Sequence, residues 1–364
     1  MKRIYIIIIT LILLFPFSVT ARASDSNIAE LFEFFDSSSA ELLEDFGISF
    51  ADGEAVWDIT PERALSVVKK LFTEGFSGLL GKGAVTVALV LVCSLISAFT
   101  DDKTGIFFMA KSVALMTVMY LTVSFTGEIF SGCCSSLLVT RDFMLVLIPV
   151  FGGVVAFSGN PALALSFNSV VFSFAEAVSM AFESIVPVLS SVLMCIYCAS
   201  AINPFMKLDS ICRVITKAVT LFMAFTAGIF VAVLSIRGVI SGAADSVTIR
   251  GLRFLIGNSV PVVGSAIGEA LNSVVAGLGL IKNTVGVIGI AGVIVINLPA
   301  LISILVWKGM LYAVSVTADI SDCSEMKSFS SDLSGVLSLI AGALCFVSFV
   351  FIISIAIIIT ISRS

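Results

Sequence analysis

The chain contains no histidine. It therefore lacks the side chain most often used for proton transfer near neutral pH, which is also the commonest metal ligand. Charge is scarce too. Asp, Glu, Lys and Arg make up 12% of the residues, about half the usual share in a soluble domain. No Walker A sequence, GxSxG elbow or HExxH motif occurs, so no ATPase or protease site is written into the chain. The eight cysteines show no metal-ligand spacing and no dense disulfide framework. Cys195 and Cys198 have the spacing of a redox pair but lie inside an apolar run, where small packing residues are the ordinary reading. Adjacent Cys133 and Cys134 are poor candidates for bridging each other. No catalytic, metal-binding or cofactor-binding residue is expected.

What the chain has instead is apolar length. Of its 364 residues, 59% are hydrophobic, and the mean hydropathy is +1.15. Several apolar runs approach the ~20 residues that cross a bilayer. The expected fold class is all-α: a polytopic helical membrane protein with a small extracytoplasmic helical segment at its N-terminus. The net charge of −5 is uneven. Residues 24–83 hold twelve acids and four bases, while residues 84–364 hold thirteen of each. Acidity confined to one small segment argues against nucleic acid as a partner.

In chain order, Lys2 and Arg3 precede the apolar run Ile4–Ser18, and Ala21-Arg22-Ala23 follows. This is the layout of a signal peptide over residues 1–23; an uncleaved anchor helix is the alternative. Either one sends residues 24–80 out of the cytoplasm. That acidic segment is expected to be helical, with Leu31, Phe34, Phe35, Leu42, Leu43 and Phe46 on one face. A second helix is expected to start at Thr60-Pro61-Glu62, a fair N-cap followed by a first-turn proline and an acid suited to the positive dipole end.

The membrane domain, residues 84–364, is read as about eight spans. They are Ala84–Phe99, Ile106–Thr126, Phe143–Phe157, Ala162–Ala181, Ile185–Ile202, Ala218–Ile236, Val285–Trp307 and Val336–Ile361. Asn160-Pro161 and Asn203-Pro204 are turn signals. Residues 204–217 carry Phe205, Leu208, Ile211 and Ile215 on one face and Lys207, Arg213 and Lys217 elsewhere, the pattern of an interfacial helix; a solvated loop is the plainer reading. Lys308–Asp332 reads as a polar loop. Basic residues divide evenly between the two sides, so orientation rests on the signal peptide alone.

The most irregular stretch is 250–284. It is apolar, yet it is interrupted by Asn258, Pro261 and several glycines, and it carries Glu269, Lys282 and Asn283. Broken backbone at membrane depth is tolerated only against protein or a water-filled cavity. A broken or re-entrant hairpin is expected here. Gly264 and Gly268 form a GxxxG pair that admits a second helix backbone. Glu269 and Lys282 are a candidate polar pair. Glu176 and Glu183, two turns apart, share a helix face. A carboxylate at the centre of a span costs ~2.5–3.5 kcal/mol on insertion scales. The functional reading of this pair is part of a polar conduit. The structural one is an interfacial Glu183 and a Glu176 hydrogen-bonded to serines on adjacent helices.

At Phe254-Leu255-Ile256-Gly257-Asn258-Ser259-Val260-Pro261-Val262-Val263-Gly264 and Leu280-Ile281-Lys282-Asn283-Thr284-Val285-Gly286, the sequence resembles the stage III sporulation protein AE family. The resemblance implies a multi-pass protein of the mother-cell membrane around the forespore. It implies a place in a secretion-like channel complex between the two cells. The partners implied are the other stage III sporulation A proteins and stage II sporulation protein Q, with stage III sporulation protein AA as the ATPase. The resemblance carries over no catalytic residue. Two other functions stand beside it on the residues alone: a stand-alone secondary transporter of a small solute, bound at the broken stretch, and a membrane scaffold with no conduit.

Overall fold

The computed structural model describes residues 19–24, 42, 44–45, 48–51, 54–59, 61–98, 105–157, 161–202, 210–230, 232, 264–320 and 323–361. Among the described residues, six helices carry the architecture. They are α1 (Pro61–Ala98), α2 (Gly105–Phe157), α3 (Pro161–Ile202), α4 (Ser210–Phe230), α5 (Gly264–Ile320) and α6 (Ser324–Ile361). All six contain a stretch long and apolar enough to cross a membrane. The chain is a polytopic helical membrane protein, as its composition implies.

Three strands precede the helices: β1 (Val19–Ser24), β2 (Ile48–Ala51) and β3 (Glu54–Ile59). They form an antiparallel sheet in the order β1-β3-β2. This departs from the helical segment expected over residues 24–80. The physical reason is legible in the chain: Ala51 pairs with Glu54, so Asp52-Gly53 connects two β-prone runs, the residue pair that most favours a two-residue hairpin. Leu42, Glu44 and Asp45 are helical; Leu31, Phe34, Phe35, Leu43 and Phe46 lie outside the described residues. The helix expected at Thr60-Pro61 does begin at Pro61. It then continues without a break into the first apolar run.

Fewer and longer helices replace the eight expected spans. Ile106–Thr126 and Phe143–Phe157 are parts of α2, which has 53 residues and a length of about 80 Å. Ala162–Ala181 and Ile185–Ile202 are parts of α3, which runs through Pro187. The turn signals at Asn160-Pro161 and Asn203-Pro204 do mark the start and end of α3. Only part of the expected interfacial helix 204–217 falls on described residues. Ser210–Lys217 forms the first turns of α4, continuous with the apolar residues that follow; residues 204–209 lie outside the described residues.

The broken stretch divides into two parts. Residues 250–263, with Asn258 and Pro261, lie outside the described residues. From Gly264 the backbone is one α-helix through to Ile320, so no interruption occurs over 264–284. Glycine weakens a helix by ~1 kcal/mol relative to alanine in water. In an apolar medium, each backbone group released from the helix costs several kcal/mol, and the helix persists. The supposed polar loop Lys308–Asp332 also contracts. The Cys323 N–H donates to the Ala318 carbonyl at 2.9 Å, a 6→1 closure that ends a helix. Lys327 bonds Asp319 across the turn at 2.6 Å.

Helix α5 is the axis of the bundle. It packs against α1, α2 and α6, while α3 packs against α2 and α6. Its most apolar window is 72% buried, against 17% for α3 and α4. Phe182 of α3 sits between Phe222 of α4 and Phe346 of α6, with centroids 5.1 and 4.9 Å away. The outer faces are also apolar: Val113, Tyr120, Val214, Leu221, Phe225 and Ile320 are exposed. A bundle apolar inside and out suits lipid rather than water.

Candidate functional site

The buried serines and threonines of the bundle mostly bond the carbonyl one turn back. Thr122, Thr126, Thr140, Ser348 and Ser354 donate to Val118, Thr122, Ser136, Leu344 and Val350. Such bonds keep a hydroxyl satisfied inside an apolar helix without a partner from another element. Among the described residues, most of the polar groups that reach across helices lie where α2 meets its neighbours.

The first gathering is at α2–α3. Arg141 Nη1 donates to Glu183 Oε2 at 2.6 Å, and its Nε lies 3.9 Å from Glu176 Oε1. Its Nη2 also bonds Asp142 Oδ1 at 3.0 Å. The planar guanidinium fork serves several carboxylate oxygens at once. Glu176 and Glu183 reach it because seven residues are two turns of α3. The side chains are largely withdrawn from the surface, 25% exposed for Arg141, 17% for Glu176 and 22% for Glu183. Three carboxylates against one guanidinium leave a formal charge of −2. Glu176 Oε2 is buried without a hydrogen-bond partner, as are the hydroxyls of Ser179 and Ser190 on the same helix.

The second is at α2–α5. Asn297 Nδ2 donates to Thr140 Oγ1 at 2.7 Å and to the Val293 carbonyl at 2.9 Å; its Oδ1 is buried without a partner. Residues 283–307 contain no Asp, Glu, Lys or Arg and span about 37 Å of helix, enough to cross a ~30 Å hydrocarbon core. Asn297 lies near the middle of that run. Thr140 faces it, so the neighbouring Arg141 sits at similar depth.

A third layer lies further along the same helices. Trp307 Nε1 donates to Thr126 Oγ1 at 2.9 Å, and the Phe125 ring meets the Trp307 ring edge-on at 5.9 Å. Lys82 of α1 pairs with Glu128 of α2 and lies 5.4 Å from the centre of the Phe125 ring. Lys308 donates to Ser338 of α6 at 2.6 Å.

Of the residues singled out from sequence, Glu176 and Glu183 are brought together. The cation between them is Arg141, a residue the sequence pattern places in a connection. Asn297 also escapes the sequence pattern, although a single amide inside a long charge-free run is a readable signal. Glu269 and Lys282 lie thirteen residues apart on the helical backbone of α5, about 20 Å along its axis. Gly264, Gly268 and Asn283 lie on the helical backbone of α5. Cys195 is exposed on α3. Among the described residues, no three of Cys, Asp and Glu are placed to hold a metal ion.

A family model described as stage III sporulation protein AE matches residues 49–362. Stage III sporulation protein AE of Bacillus subtilis (strain 168) is 24% identical over 229 residues, which cover 62% of this chain and 57% of that protein. The chain therefore spans little more than half the length of this curated relative. No solved structure matches the chain.

Proposed function

The chain belongs to the stage III sporulation protein AE family, and from that premise we propose that it is a membrane subunit of the channel complex between mother cell and forespore. Its place is the mother-cell membrane around the forespore, with β2 and β3 on the extracytoplasmic side. Its partners are other stage III sporulation A proteins and stage II sporulation protein Q. It carries out no reaction of its own; an ATPase partner, stage III sporulation protein AA, supplies the energy.

The observation that supports this reading is the family match over nearly all of the helical bundle. The bundle adds a physical reason. Its polar side chains join α1, α2, α3, α5 and α6 across helix faces at several depths. Such contacts fix a frame. The exposed faces of α3 and α4 leave a broad apolar surface for lipid and for neighbouring subunits.

The test is affinity purification of the full-length protein from sporulating cells under mild detergent. Recovery of the stage III sporulation A proteins and stage II sporulation protein Q supports the proposal. Purification alone, together with solute uptake by vesicles containing only this chain, would replace it with the secondary-transporter reading.

A further inference from the structure

The Arg141 cluster is more acidic than its arginine can balance. Three carboxylates share one guanidinium, and the guanidinium is held by Glu183 at 2.6 Å and Asp142 at 3.0 Å. Glu176 is left with one oxygen 3.9 Å from Arg141 and the other buried with no partner. One turn further along α3, Ser179 is 2% exposed and its hydroxyl is also unpartnered. The two orphan groups stand three residues apart on one helix face, where side chains are neighbours. A proton on Glu176 Oε2 turns that oxygen from an acceptor into a donor, and the unpartnered Ser179 hydroxyl can accept from it.

We propose that Glu176 is a proton-binding site within the membrane bundle, with Ser179 accepting the hydrogen bond of the protonated carboxyl. Uptake adds one proton from water to Glu176 Oε2 and brings the formal charge of the cluster from −2 to −1. Release returns the proton to water. Arg141 is the positioning residue. When Glu176 is charged, the guanidinium closes the 3.9 Å gap toward it; when Glu176 is neutral, Arg141 stays with Glu183. The charged groups facing Glu176 are Arg141 and Asp142 from α2 and Glu183 from its own helix. The other helices packed on this part of α3 present aromatic rings: Phe222 and Phe230 from α4 and Phe346 from α6. This site deepens the membrane-subunit reading and rests on the bundle lying in a bilayer.

The experiment uses full-length protein in vesicles of phosphatidylglycerol and phosphatidylethanolamine. Infrared difference spectra are recorded between acidic and alkaline buffer, in water and in heavy water. A protonated-carboxyl band that shifts in heavy water is expected. It should be lost in Glu176→Gln and retained in Glu183→Gln and Asp142→Asn. Glu176→Asp keeps a titrating carboxyl and guards against a folding failure of the glutamine variant; its band should persist with a displaced midpoint. Absence of the band in the unaltered protein would overturn the proposal, since an ordered water would then satisfy both orphans. Survival of the band in Glu176→Gln, or an unmoved midpoint in Glu176→Asp, would do the same. None of these outcomes depends on sporulation partners, so the channel assignment can fail while the proton site stands, and the reverse.

Discussion

Replacing Gly289 with alanine tests whether the bundle is as tightly closed as its geometry says. Gly289 sits on α5 where α2 and α6 both press against it. A Cβ there would lie 2.6 Å from Leu147 Cδ2 and 3.1 Å from Ile355 Cδ1. Leu147 and Ile355 are themselves fully buried, so neither moves aside freely. Overpacking of this kind costs about 1–3 kcal/mol, more than the ~1 kcal/mol that alanine gains over glycine in a helix. The net expectation is a loss of up to about 2 kcal/mol. Equilibrium unfolding of the purified protein by sodium dodecyl sulfate in mixed micelles, followed through Trp307 fluorescence, measures it. Leu147→Val removes the clashing atom, so the double variant should be more stable than the two single losses predict, with a coupling of about 1 kcal/mol. Gly309→Ala is the control: nothing lies within 4 Å of its added carbon. A raised midpoint for Gly289→Ala, or strict additivity with Leu147→Val, would refute the packing described for α2, α5 and α6.

Two further outcomes follow from the same structure. Arg141→Leu leaves Glu176 and Glu183 facing each other without their cation. Removing one partner of a buried pair costs ~3–5 kcal/mol, and the quarter exposure of Arg141 brings this to about 2–4 kcal/mol. The same unfolding assay should show that loss, with Arg141→Lys closer to the unaltered protein; equal stability of all three would remove the cluster from the frame. Phe50→Cys on β2 should react with a membrane-impermeant thiol reagent in intact protoplasts; reaction only after lysis would place β2 and β3 on the cytoplasmic side instead.

The signals that can be read correctly from sequence are those that act locally. Proline at the first turn places the starts of α1 and α3, and Asn203-Pro204 places the end of α3. The pairing of β2 with β3 is equally local, but acids with interspersed aromatics around it suggest a helix and hide it. The count of spans fails for a different reason. Arg141, Asp142 and Glu183 look like loop residues when each is costed alone in lipid. Across α2 and α3 they satisfy one another, and the helices continue through them. Seven-residue spacing makes Glu176 and Glu183 legible as one face, but nothing within α3 names the residue on α2 that meets them. The same holds for Thr140 and Asn297, which are separated by 157 positions.

The order in which the chain is made sets a constraint on its biogenesis. The most enclosed of the described helices, α5, is also the fifth of those six to leave the ribosome. Until residue 320 is synthesised, α1 and α2 have no axis to close upon, and Thr126 and Thr140 have no Trp307 or Asn297 to receive. At 5–20 residues per second, the stretch from Phe230 to Ile320 takes roughly 5–20 s to emerge. During that interval the helices made first lack these cross-helix partners.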